Sequence, residues 1–173
     1  MTYKQYAKRK LTFRPSGFLS FWKFILFIFA SVLPIVSEAQ IQVYQESPLN
    51  FGDMILSETS GTVTINPAGD RTATGNIILL NNSEINPLIL SVEAPYGSNI
   101  QIQFGTEQLL YGSNGGQLGL TLNASNPVSP FTSLATPPQR TTIYIGGTLS
   151  LGTRSTTPAG VYSGSVTLVF IQE

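Results

Sequence analysis

The sequence predicts an all-β chain, an immunoglobulin-like antiparallel β-sandwich following an N-terminal signal peptide, and three observations carry that prediction. Beyond residue 39, turn residues recur about every 8 to 12 positions. Between them apolar residues alternate with polar ones at a period of two, as strands with one buried face require. No stretch sustains the helical period of 3.6 residues. A small barrel is the alternative closure of the same strands.

The leader is read first. Lys4, Lys8, Arg9, Lys10, Arg14 and Lys23 precede the apolar run Phe24 to Val36, and Ser37-Glu38-Ala39 places small residues at the first and third positions before a cut at Gln40. That order is a secretory signal peptide over 1–39, leaving one domain over 40–173. The apolar run is 13 residues long and contains Pro34, short of the roughly 20 that span a bilayer. Whole-chain neutrality is an effect of this leader. After it, Arg71, Arg140 and Arg154 stand against eight acids, a net charge of −5. Few cations and no lysine argue against nucleic acid and anionic membranes, which need clustered positive charge.

The strands follow in order. Val63 and Ile65 alternate with Thr62 and Thr64 before the turn Asn66-Pro-Ala-Gly-Asp70. Leu88, Leu90, Val92 and Ala94 share one parity, Pro95 to Ser98 reads as a turn, and Ile100, Ile102 and Phe104 share a parity beyond it, which predicts a hairpin. Leu118, Leu120, Leu122 and Ala124 form another inward set after a Gly112–Gly116 hairpin tip. A Pro-rich crossing from Pro127 to Pro138 carries the chain between sheets. Ile143, Ile145, Gly147, Leu149 and Leu151 face inward, with a bulge or bend predicted at Gly146-Gly147, since glycine weakens a flat strand unless the backbone needs an unusual conformation or a close approach. The closing strand, Gly160 to Phe170, places Tyr162, Val166, Leu168 and Phe170 on one side. Gln40 to Gln45, with Ile41 and Val43 on one face, reads as the domain's own first strand, beside the closing strand, or as a segment donated to a neighbour.

The chemistry is defined by what is missing. The mature chain has no His, Cys, Lys or Trp, so imidazole bases, thiolates, Schiff-base amines and Cys/His zinc sites have no residues to form them. No catalytic, cofactor-binding or metal-binding residue is assigned, and the expectation is that the chain is not an enzyme. The carboxylates Glu46, Asp53, Glu58, Asp70, Glu84, Glu93, Glu107 and Glu173 read as solvated. Two Asp are too few for a calcium loop. Asp70 reads as capping its own turn, and Gly112–Gly116, lacking a Lys and a following helix, reads as a flexible tip rather than a phosphate loop. Phe51 and Tyr162 read as core residues, the tyrosine hydroxyl seeking a backbone partner. Tyr144 falls on the outer face, where with Tyr96 or Tyr111 it would offer a flat surface for a sugar.

Leu49-Asn-Phe-Gly52, Gly61 to Thr72, Tyr144-Ile-Gly-Gly-Thr-Leu-Ser-Leu-Gly152 and Ala159 to Val166 follow one another as in the bacterial domain-of-unknown-function family 4402, which the chain resembles over roughly residues 41 to 171. Ile77 to Leu80 leading into Asn81-Asn-Ser-Glu84 departs from that pattern. The resemblance implies an exported bacterial sandwich, with a closing Gly-x-Tyr-x-Gly strand similar to spore-coat-U-type and fimbrial subunits, and assigns no functional residue. Two readings stay open for a secreted, periplasmic or cell-surface protein. One is a structural or adhesive surface protein that assembles with itself or a surface partner, as a pilus- or coat-like subunit does. The other is a monomeric binding module for a glycan or a partner strand.

Overall fold

The computed structural model describes residues 40–173; the expected signal peptide lies outside the described residues. Thirteen strands follow in chain order: β1 Gln42–Ser47, β2 Met54–Leu56, β3 Gly61–Ile65, β4 Arg71–Thr74, β5 Ile77–Leu79, β6 Leu88–Glu93 and β7 Asn99–Phe104. Then come β8 Gln108–Gly112, β9 Gln117–Asn126, β10 Phe131–Thr132, β11 Thr141–Leu151, β12 Tyr162–Ser163 and β13 Leu168–Gln172. The strand pairings are antiparallel. No helix of the described residues is long and apolar enough to cross a membrane.

The fold is an antiparallel β-sandwich. An eight-stranded sheet runs β1-β6-β11-β9-β8-β12, with β3 also on β11 and β4 on β3; it faces a three-stranded sheet, β10-β7-β13. Strands β2 and β5 form a small third sheet. Val63, Ile65, Val92, Ile143 and Ile145 from the large sheet and Ile100 from the small one are completely buried in a single core. Alternation works here because each sheet offers one face to the other and the pleat sends every second side chain to it.

Strand β11 organises the large sheet. Along one edge it pairs first with β6, over Thr141–Ile145, and then with β3, over Gly147–Leu151; its other edge is occupied by β9. The hand-over occurs at Gly146. A Cβ there would lie 2.5 Å from the Ile65 carbonyl oxygen, so the end of β3 can reach β11 only over a residue without a side chain.

The predicted bulge lies at this point, but its extra residue is in β9. Gly146 pairs with Ala124 and Gly147 with Leu122, leaving Asn123 unpaired. One inserted residue reverses the parity of everything beyond it. Ser125 therefore takes the buried position that alternation assigned to Ala124, which is half-buried.

Three further expectations are corrected. Strands β6 and β7 are not a hairpin: β6 pairs with β1 and β11, whereas β7 pairs with β10 and β13 in the other sheet. Pro95–Ser98 is an arch between layers, tied down where Gly97 N–H donates to Ser133 O (2.8 Å) and Ser133 N–H to Ser98 O (2.9 Å). The closing strand is two strands, β12 on β8 in the large sheet and β13 on β7 in the small one. Its parity survives the change of sheet: Tyr162, Val166, Leu168 and Phe170 all pack, half-buried, against the core. The Pro-rich crossing does leave the large sheet, but only for β10, and returns to it as β11.

The segment Gln40 to Gln45 runs into the domain's own first strand, β1. It pairs with β6, from Gln42 opposite Glu93 to Ser47 opposite Ile89, and so lies beside β6, not the closing strand. Its side chains bury little: Val43, opposite the buried Val92, is still 40% exposed. Arg140 adds a clamp, stacked 3.6 Å over the Tyr44 ring and 3.9 and 3.5 Å from the Glu46 and Glu93 carboxylates. Such exposed pairs are worth under about 1 kcal/mol each. Deleting Gln40 to Gln45 is expected to lower the melting temperature by about 5–10 °C through the lost ladder hydrogen bonds, without abolishing folding. Calorimetry of the truncated protein checks this; an unchanged melting temperature would show that β1 does not hold its place on β6 in solution.

Candidate functional site

The Thr/Ser-rich turn after β11 folds on itself because short hydroxyl side chains bond nearby backbone in place of a ladder. The Thr153 carbonyl accepts from Thr156 N–H (3.0 Å), Thr157 N–H (2.9 Å) and the Thr156 hydroxyl (3.0 Å). Past the turn, the Tyr162 hydroxyl donates to Pro158 O at 2.7 Å. That backbone bond four residues upstream is the tyrosine-corner arrangement of immunoglobulin-like sandwiches, and it gives Tyr162 the partner its sequence position demanded.

Opposite this turn stands the β8–β9 tip. It is not a loose loop. Ser113 N–H donates to Val161 O (2.9 Å), Val161 N–H to the Ser113 hydroxyl (3.1 Å) and the Asn114 amide to Ala159 O (2.7 Å). The two loops thus hold one another. Between them lies an open cleft of about 580 Å³, lined by Gly116, Gln117, Gly152, Thr156 and Thr157.

Thr157 is the unusual member of this lining. It is 8% exposed, and its hydroxyl is buried with no hydrogen-bond partner. Gly152 makes room for the turn that carries it: a Cβ at Gly152 would lie 2.4 Å from the Thr156 hydroxyl oxygen and 3.3 Å from that of Thr157. An unpaired buried hydroxyl is destabilising, so its removal without change of shape is favourable. Thr157→Val is expected to raise stability by about 1 kcal/mol, read as a higher urea midpoint at unchanged slope.

The residues weighed from sequence are mostly dispersed. Glu46 and Glu93 meet, but across Arg140. In the β3–β4 turn it is Asn66, not Asp70, that caps: its side-chain oxygen accepts from Ala68 N–H (3.0 Å) and Asp70 N–H (2.9 Å). The Asp70 carboxylate receives the Asn66 amide (2.9 Å). Phe51 is buried in the core. Tyr144 faces outward, as its parity required, but forms no platform with Tyr111. Tyr144 pairs with Asn126 and Tyr111 with Gln117, the two ends of β9, about 30 Å apart at strand rise. Tyr96 sits in the interlayer arch. Among the described residues, no group of three or more His, Cys, Asp or Glu comes together.

Arg71 has a role that its place beside Asp70 did not show. One guanidinium nitrogen donates to Phe51 O (2.7 Å) and Asp53 O (3.3 Å), and the other to Leu80 O (2.5 Å). It ties the Leu49–Gly52 motif to the Gly61–Thr72 motif, just as the cleft joins the end of the Tyr144–Gly152 motif to the approach to Tyr162.

Against known proteins, residues 41–170 match the family model described as a domain of unknown function (DUF4402). No curated protein and no solved structure matches the chain.

Proposed function

The chain belongs to the DUF4402 family, and from that footing we propose that it is a non-enzymatic, exported structural or adhesive surface protein acting through its strand edges and loops. The observation that carries this reading is the edge of β13. Its five residues, Leu168-Val-Phe-Ile-Gln172, carry no charge and no proline, and among the described residues they pair only with β7. Edge strands normally carry a lysine, proline or bulge that blocks further pairing. Strand β13 has none of these, and Val169 on it is 49% exposed. The other terminal strand, β1, is an edge of the opposite sheet. Two different edges on two sheets permit a head-to-tail contact between copies that does not close on itself, which is the geometry of a filament or coat.

Assembly is expected to grow with concentration in light scattering, and Val169→Lys to hold the protein monomeric with its fold intact. A native protein that stays monomeric at every concentration would overturn the structural-subunit reading. The second reading, a monomeric binding module, is favoured by the cleft at Thr157.

A further inference from the structure

We propose that the cleft between the β8–β9 tip and the Gly152–Thr157 turn binds an uncharged sugar, with the Thr157 hydroxyl as its buried hydrogen-bonding group and Tyr111 as its stacking surface. The inference rests on the adhesive side of the reading given under Proposed function and is independent of assembly.

The cleft volume of about 580 Å³ falls within the range of small-molecule sites, which combine a concave surface with a few convergent polar groups. Its lining is uncharged and rich in hydrogen-bonding groups: a glutamine amide, two threonine hydroxyls and glycine backbone. Such groups suit a ligand that is itself a set of neutral donors and acceptors. The Thr156 hydroxyl is committed to its own turn, bonded to Thr153. That of Thr157 is committed to nothing. A buried hydroxyl without a partner is rare in folded proteins and calls for a ligand group or water to complete it. Thr156 is exposed, and its hydroxyl and that of Thr157 both lie over Gly152, on the wall of the cleft.

Tyr111 supplies the second half of the site. It lies directly across β8–β9 from Gln117, and directly opposed residues share a face of the sheet with Cβ atoms about 5 Å apart. Tyr111 as a whole is 62% exposed. A pyranose has an apolar C–H face and a hydroxyl edge; the face suits the tyrosine ring, and the edge meets Gln117 and Thr157. Acidic ligands are disfavoured by Glu107, whose carboxylate lies against Gly119, two positions along the strand from Gln117.

The test is a printed array of neutral and acidic oligosaccharides, probed with the purified protein and with Thr157→Val, Tyr111→Ala and Val169→Lys. Retention on neutral glycans is expected, weakened at least about tenfold by Thr157→Val and by Tyr111→Ala, the scale of one lost hydrogen bond or stacking contact. The melting temperatures of both variants show that they are folded. Val169→Lys is expected to bind as the native protein does, whatever its state of assembly. An array without neutral-glycan binding would overturn the proposal, as would retention on acidic glycans alone, through Arg154, or binding that survives Thr157→Val and Tyr111→Ala. A monomeric protein that binds the array would retain this inference and remove the structural-subunit reading. An assembling protein with a blank array would do the reverse.

Discussion

Arg71→Ala is expected to cost the fold about 3 kcal/mol and to lower its melting temperature by on the order of 10 °C. The side chain reaches from β4 to three backbone carbonyls, Phe51 O, Asp53 O and Leu80 O. These belong to segments that no ladder joins to β4. Hydrogen bonds from a charged donor are worth more than neutral ones, and truncation also leaves the part-buried Phe51 and Leu80 carbonyls without their partner. Arg71→Lys is expected to recover little, because an ammonium is a single point whereas the guanidinium fork reaches two directions at once. Urea denaturation of the two variants beside the native protein checks both statements. A loss below about 1 kcal/mol for Arg71→Ala, the scale of an ordinary surface change, would show that the three bonds are not held in solution.

The second large effect is expected at Gly146. Gly146→Ala places a methyl 2.5 Å from the Ile65 carbonyl oxygen and 3.1 Å from the Asn66 backbone. Backbone atoms at a strand junction cannot turn away as a side chain does, so β3 must separate from β11. A cost of about 3 kcal/mol follows from overpacking combined with lost pairing. The neighbouring Gly147→Ala is the control. A Cβ there meets the ends of Leu122, Leu49 and Leu120 at 3.0–3.3 Å, flexible groups that can adjust, and about 1 kcal/mol is expected. Calorimetry of the pair reads the difference; equal losses would mean that the β3–β11 approach is not what requires glycine.

Much of the core was legible because alternation depends only on the pleat. Val63, Ile65, Leu88, Leu90, Val92, Ile100, Ile102, Leu118, Leu120, Leu122, Ile143, Ile145, Leu149 and Leu151 were read as inward-facing and are buried. Pairing is another matter. Two inward-facing strands joined by Pro95–Ser98 give the same pattern whether they lie side by side in one sheet or face to face in two. Only the direction of their backbone hydrogen bonds differs, and side chains do not encode it. The break in the closing strand was hidden for the same reason, since parity is kept across Gly164–Thr167. The bulge residue Asn123 is an ordinary strand residue in sequence, while the glycines that marked the position lie on the partner strand. Thr157 reads as one hydroxyl in a Thr/Ser-rich loop, and only the folded loop shows it as a buried, unpaired group. Arg71 was visible as a lone cation, but its three acceptors are backbone atoms, which every residue possesses.

The position of β11 in the chain sets a timetable for the molecule. Strands β3, β6 and β9 have no ladder with one another; each pairs with β11, which ends at Leu151 of 173 residues. Until that segment is made, the strands of the large sheet can hold only separate pairs, the local β3–β4 and β8–β9 and the longer-range β1–β6. Joining β3 to β11 closes a loop of some 80 residues, an entropic cost paid before the contact returns anything. The large sheet thus cannot close until β11 has been made. For the exported protein proposed above, a late central strand keeps the chain threadable until β11 has been made.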